Sequence, residues 1–292
     1  MGNDMTLFKS QSAMEYLMTY GWAILIIAVV LGALFQLGVF NSSSFSPRAP
    51  PGACQVFRPS GPGTTTNINL MGVCTGVLPQ YVGVFNGQNS YVATATSFSA
   101  NTATSGYTIS AWIYQTSTDG YNWQGIAGIG MSTVTLAIEV HGGNRLGAWG
   151  CGNQGATPTV QNLLNNWHQV AGVFYQNAGF ISAQMYYDGQ YVGNSITDRA
   201  VPCAASRTFQ VAQTYGGYST WFHGSIANVQ LYNSSLDGNQ IQALYLKGIG
   251  GAPSPLQNLM VWWPLNGNSN DYSGNNNNGV PTSVTFTSQY GK

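Results

Sequence analysis

Residues 107–114 read YTISAWIY, from Tyr107 to Tyr114. Tyr107, Ile109, Ala111 and Ile113 alternate with Thr108, Ser110, Trp112 and Tyr114, which is the period of two that a β-strand imposes on its two faces. Working outward, runs of the same kind recur at 81–86, 90–95, 133–140, 168–175, 183–188, 190–195, 207–212 and 225–232. They are rich in β-branched and aromatic residues. Asn86-Gly87, Gly142-Gly143 and Asp188-Gly189 are hairpin-grade turn pairs between them. One helix is predicted from about Leu236 to Lys247. Its apolar stripe is Leu236, Ile241, Leu244 and Tyr245, its cap Ser235 and its stop Gly248. Many short strands and one helix predict an all-β antiparallel jelly-roll sandwich over 81–292.

Only 5% of the 292 residues are Asp, Glu, Lys or Arg, against about 25% in ordinary soluble proteins. Asn, Gln, Ser, Thr, Gly and Tyr take their place, while 44% hydrophobic residues still provide a core. The formal net charge is zero, so no electrostatic attraction to nucleic acid is expected. A polar, uncharged surface suits an extracellular protein, and with so few titrating groups its stability is expected to change little at acid pH.

Residues 17–40, LMTYGWAILIIAVVLGALFQLGVF, contain no charge. As a helix they would extend roughly 36 Å, enough to cross a bilayer. Tyr20 and Trp22 lie near one end, where interfacial aromatics belong, and Lys9 precedes the run, which predicts a cytoplasmic N-terminus and an exported remainder. The polar leader Phe8-Lys9-Ser10 followed by Gln11-Ser12-Ala13-Met14-Glu15-Tyr16 resembles the class III signal of archaeal prepilins and archaellins. The resemblance implies cleavage by a prepilin peptidase-like enzyme between Ser10 and Gln11, with Glu15 at the fifth mature position. Ser10 departs from the glycine usual before the cut in bacterial prepilins. A carboxylate at the edge of an apolar helix needs a partner. The new α-amino group on Gln11 of a neighbouring subunit would supply one and set the register of self-assembly through this helix. The other reading is an uncleaved signal anchor with Glu15 at the headgroup level.

Residues 41–80 read as a linker, rich in Ser, Pro and Gly up to Pro62. The cysteines, Cys54, Cys74, Cys151 and Cys203, all follow the apolar run, and an even number in an exported region favours two disulfides. Chain order suggests Cys54–Cys74 and Cys151–Cys203; crossed or free cysteines are the alternative. Asn41 and Asn233 begin N-glycosylation sequons.

The strand runs carry a second resemblance. Phe85-Asn86-Gly87 with Ser90-Tyr91-Val92, then Tyr107-Thr108-Ile109-Ser110-Ala111-Trp112-Ile113, Trp167-His168-Gln169-Val170-Ala171, Tyr186-Tyr187-Asp188-Gly189 and Phe222-His223-Gly224-Ser225-Ile226 follow one another in the order found in laminin-G-like domains of the concanavalin A-like lectin class. The C-terminal Trp262-Trp263-Pro264-Leu265-Asn266-Gly267 and Asn270-Asp271-Tyr272-Ser273-Gly274-Asn275 resemble that family's opening strand and loop, displaced to the end of the chain. Three readings follow: a circularly permuted domain in which 258–292 completes its own sheet, donation of that strand to a neighbour, or a truncated second repeat.

An enzyme on this fold would need two carboxylates flanking a glycosidic bond. Beyond the apolar run only Asp119, Glu139, Asp188, Asp198, Asp237 and Asp271 are acidic, and no Glu-x-Asp-x-x-Glu pattern occurs, so no catalytic residue is assigned. His168 and His223 fall on structural motif positions of the resemblance. Binding is the expected function: carbohydrate sites pair aromatic faces with amides and hydroxyls. Trp123 and Trp221, in the Gly- and Tyr-rich segments GYNW and GGYSTW, are the candidate ligand platform. The family resemblance also allows a rim calcium, for which Asn266, Asn268 and Asp271 would supply oxygens; a stabilising asparagine-rich turn is the other reading of this loop. The expected protein is thus a membrane-anchored or filament-forming surface subunit presenting a lectin-like head to glycans or proteins, or else a structural coat.

Overall fold

The computed structural model describes residues 5–36, 54–57, 65–68, 79–100, 106–117, 123–130, 136–150, 153–154, 158–177, 180–200, 205–214 and 221–288, and their side chains except at 5–17, 19, 35–36, 54–57, 65–68, 99–100, 153–154, 177, 180, 195–200 and 205–206. The chain divides into two compact units, Met1–Pro47 and Arg48–Lys292.

In the first unit, helix α1 spans Met5–Gln36. Met18, Tyr20, Trp22, Ile24, Leu25, Ile26, Ile27, Val29, Val30 and Leu31 are exposed, so its described part is apolar on every face. Among the described residues no helix is long and apolar enough to cross a membrane. The described side chains of α1 run only from Met18 to Leu34, short of the uncharged run 17–40. Ser10, Gln11 and Glu15 lie on the helix with side chains outside the described set, and Asn41 lies outside it altogether.

The second unit begins with a two-stranded ribbon, β1 (Cys54–Phe57) and β2 (Thr65–Ile68). The strands that follow are β3 (Val82–Asn86), β4 (Tyr91–Ala100), β5 (Tyr107–Gln115), β6 (Trp123–Ile129), β7 (Leu136–His141), β8 (Arg145–Gly150), β9 (Asn153–Gln154), β10 (Trp167–Asn177), β11 (Phe180–Tyr187), β12 (Gln190–Ala200), β13 (Ala205–Val211) and β14 (His223–Tyr232). Helix α2 (Gly238–Leu246) and strands β15 (Leu259–Trp263), β16 (Gly279–Thr282) and β17 (Thr285–Thr287) complete the chain. One sheet runs β12-β11-β10-β5-β14-β3-β17, with β15 also on β14; the other runs β16-β4-β13-β6-β7-β8-β9. All their pairings are antiparallel, and the two sheets form an all-β sandwich.

The core lies between the sheets, where Ile109, Ile113, Ile138, Phe174, Phe209 and Trp263 pack together. Alternation puts the other half of β5 outward, yet all nine of its residues are buried. The reason is α2 and the segment after it: Tyr245 stacks on Trp112 at 5.7 Å, and Ile249 joins Tyr114 and Trp167. The helix cap is Asp237 rather than the expected Ser235. Asp237 accepts from the Gln240 backbone N–H while the Gln240 side chain accepts from that of Asp237, both at 2.9 Å. Ser235 instead donates its hydroxyl to the Phe174 carbonyl at 2.9 Å.

Two other expectations change. Asn86-Gly87 is not a hairpin, because β3 and β4 belong to different sheets. The Asn86 Oδ1 gathers the backbone N–H groups of Gln88, Asn89 and Ser90 at 2.9–3.2 Å and turns the chain from one sheet into the other. Strands β6 and β8 were not expected, and β6 makes Trp123 a strand residue rather than a loop residue. Glycines at 125 and 128 break its alternation, and the structure requires both: a Cβ on Gly125 would stand 2.4 Å from the Thr214 hydroxyl, and one on Gly128 2.5 Å from the Ala137 Cβ.

The C-terminal residues close the sandwich of their own chain. β15 pairs with β14 (Val229↔Trp263), β16 with β4 (Val280↔Ala93) and β17 with β3 (Phe286↔Gly83), so strands from this segment enter both sheets.

Candidate functional site

Strands β6, β7 and β8 build the site. On β7, Leu136, Ile138 and Val140 enter the core, so Ala137, Glu139 and His141 face outward from the sheet. Cross-strand register sets Gly125 and Gly147 on either side of Glu139. It also sets Trp123 opposite His141 and Trp149 opposite Ala137. Glu139 is 0% exposed. A carboxylate in that position is tolerated only with partners. Its Oε1 accepts from the Thr214 hydroxyl at 2.6 Å, its Oε2 accepts from the indole N–H of Trp149, and His141 Nε2 lies 3.6 Å from Oε2.

Trp149, bonded to this carboxylate, meets Trp123 with ring centroids 5.8 Å apart and planes tilted by 59°, and Trp123 also packs on His141 at 6.2 Å. Both tryptophans are half-buried. The arrangement is a rigid aromatic corner with part of each ring open: the carboxylate fixes one indole, and ring contacts fix the other. Two angled, half-buried π-faces can receive the C–H face of a sugar ring.

Of the expected platform residues, Trp123 is in this corner and Trp221 is not. Trp221 is half-buried and tilts against Tyr91 at 5.9 Å. Trp149, Glu139, His141 and Thr214 were missed as a group. The hairpin turn at Gly142-Gly143 was the available signal, since folding the chain there brings Trp149 beside Glu139.

The oxygens named for calcium are already engaged. Asp271 Oδ1 accepts from the backbone N–H groups of Trp262 and Ser273, both at 2.9 Å. Its Oδ2 accepts from the Ser273 hydroxyl at 2.8 Å and the Asn277 N–H at 2.9 Å. Asn266 Oδ1 accepts from the Tyr81 N–H at 2.8 Å and Asn268 Oδ1 from the Asn270 N–H at 3.0 Å. A calcium ion here would compete with four hydrogen bonds for Asp271, the one carboxylate of the set. Among the described residues no group of three or more His, Cys, Asp or Glu side chains could hold a metal.

Asn233 is exposed. The cysteine pairings lie outside the described residues: Cys54 is described in its backbone only, and Cys74, Cys151 and Cys203 not at all. His168, at a structural motif position, is buried, with Nδ1 2.8 Å from Asp188 Oδ2 and Nε2 2.8 Å from the Asn162 carbonyl. That geometry fixes the β11–β12 turn, where Asp188 and Gly189 both have positive φ.

The family model of the concanavalin A-like lectin/glucanases superfamily matches residues 86–242, more than half of the chain. The chain belongs to this superfamily. Among solved structures, a candidate carbohydrate-binding protein from Bacteroides ovatus ATCC 8483 is similar at 18% identity and a TM-score of 0.51, over 78% of this chain and 64% of that one. The chain therefore spans less than two thirds of that protein's length. The heptameric SAP-like pentraxin of Limulus polyphemus is similar at 13% identity and a TM-score of 0.49, over 71% of this chain and 94% of the pentraxin. Trypanosoma rangeli sialidase is similar at 15% identity and a TM-score of 0.40, over 56% of this chain and 32% of the enzyme. No curated protein matches the sequence. The superfamily holds both lectins and glucanases, so membership establishes the fold without deciding between binding and hydrolysis.

Proposed function

We propose that this superfamily member is a surface protein whose head binds carbohydrate at the corner formed by Trp123 and Trp149. The observation that carries the reading is the pinning of the Trp149 indole by the fully buried Glu139. An aromatic held in place before the ligand arrives loses little entropy on binding. Glu139 contacts a hydroxyl, an indole and an imidazole, a set that orients rings and does not supply the second carboxylate of a glycosidase. The uncharged run 17–40 anchors the chain in the cell membrane, with the head outside. The Ser10–Gln11 junction is the processing site, and Glu15 pairs with the Gln11 amino group of a neighbour as helices assemble. Sugars on Asn41 and Asn233 fit the same exported location.

Glycan-array binding by the full chain tests the head. Binding that falls at least roughly ten-fold in both Trp123→Ala and Trp149→Phe supports the reading. Binding to no glycan, or binding indifferent to both substitutions, refutes it. The mass of the N-terminal peptide of the membrane-purified protein tests processing, since it should begin at Gln11.

A further inference from the structure

The sheet opposite the tryptophan corner carries a cleft that this function does not use. On β15, Val261 and Trp263 enter the core, so Trp262 faces out, on the side of its sheet that α2 covers. A cavity of about 260 Å³ opens beside Trp262, lined also by Tyr272, Pro79, Pro264, Asn228 and Asn266. Among the described residues no Asp, Glu, Lys or Arg lines it.

The polar side chains of this cleft are two amides, both with N–H groups to donate. Asn228 is 3% exposed; its Oδ1 accepts from the Trp262 indole N–H at 2.8 Å and from Gln230 Nε2 at 3.0 Å. Its Nδ2 donates to the Gly251 carbonyl at 2.8 Å and keeps a second hydrogen. Asn266 Oδ1 accepts from the Tyr81 N–H, and its Nδ2 is an amide donor at the cleft. The aromatic pair is rigid at one end and open at the other. Trp262 is held by Asn228, while Tyr272 packs edge-on against it at 6.1 Å and stays 54% exposed.

A ligand for this cleft is therefore uncharged, carries an apolar face for Trp262 and Tyr272, and presents oxygens to amide N–H groups. Its size is limited, since the volume falls below the about 300 Å³ at which drug-sized sites begin. A single neutral sugar ring meets all three conditions. A proline-rich peptide would share the apolar face, but it needs a groove running along several residues.

We propose that this cleft is a second binding site, for one neutral pyranose ring, on the face of the sandwich opposite the Trp123–Trp149 corner. The inference goes beyond the proposed function and stands without it. With both sites present, one head bridges two glycan chains.

The test is ¹H–¹⁵N NMR of the tryptophan indole groups in the full chain in detergent micelles, titrated with the methyl pyranosides of glucose, galactose, mannose and N-acetylglucosamine. The Trp262 N–H is bonded to Asn228 and reports the cleft; the Trp149 N–H reports the corner. At least one pyranoside is expected to shift the Trp262 signal saturably. Tyr272→Ala, which removes an exposed ring, should weaken that binding roughly ten-fold. Asn266→Asp keeps the acceptor for Tyr81 and deletes the donor, and should also weaken it. The proposal is overturned if no pyranoside moves the Trp262 signal, if both variants titrate like the parent, or if a proline-rich peptide moves it and the sugars do not. A shift at Trp149 alone leaves the corner standing and removes the cleft; a shift at Trp262 alone does the reverse.

Discussion

The indole N–H of Trp149 donates to the carboxylate of Glu139, a group with no solvent exposure. Trp149→Phe keeps a ring in place but strips one hydrogen bond from a buried carboxyl group. The expected loss is about 1–3 kcal/mol of stability, read as a lower urea midpoint at unchanged m-value. Gly125→Ala should disturb the same group from the other side, because its methyl would meet Thr214 at 2.4 Å and displace the hydroxyl that serves Glu139.

Asp271 holds the C-terminal loop by accepting four hydrogen bonds, from Trp262, Ser273 twice, and Asn277. Asp271→Ala should cost about 2–4 kcal/mol, since several buried or half-buried donors lose a charged acceptor together. Calcium or a chelator should leave the melting temperature of the parent unchanged. A rise of several degrees with calcium would show that the ion does enter this loop.

Removing residues 258–292 should unfold the head. The segment carries three strands of the two sheets and Trp263, which is 0% exposed and packs on Phe209 at 5.4 Å. Trp263→Ala alone should cost about 3–5 kcal/mol. A cooperative melt of the truncated chain with near-native circular dichroism would contradict this.

Alkaline pH should destabilise the head through the phenols of Tyr232, which is buried, and Tyr187, which is half-buried. Burial is the main force raising the Tyr187 and Tyr232 hydroxyls well above the usual tyrosine range; for Tyr187 the nearby Asp188 charge adds to it. A backbone hydrogen bond from Ser254 opposes the shift at Tyr232 only in part. The folded state thus keeps protons that the unfolded state releases near pH 10. Their contribution is fully present below that pH and is lost as pH rises above it. Phenolate absorbance for these two residues should appear only together with unfolding.

Much of the sandwich was readable from alternation. Tyr107–Tyr114 became β5 with one added residue, and the Asp188-Gly189 pair became the β11–β12 turn, because a hairpin between neighbours is specified locally. Strand β6 was not readable: Gly125 and Gly128 erase its pattern, and the demand for Gly125 comes from Thr214, 89 positions further on (214 − 125). The site shows the same division. Trp123 was identified from its composition-rich neighbourhood, but its partners Trp149 and His141 became visible only through strand register.

The sequence by itself determined most of the strands, the apolar N-terminal run and the order of family motifs, since each depends on side-chain period or on residues adjacent in the chain. The tertiary structure decided which tryptophans meet, why a lone glutamate is tolerated without solvent, and where residues 258–288 go. Those outcomes depend on contacts between segments far apart in the chain, and the burial that prices a carboxylate or an indole exists only once both sheets have closed.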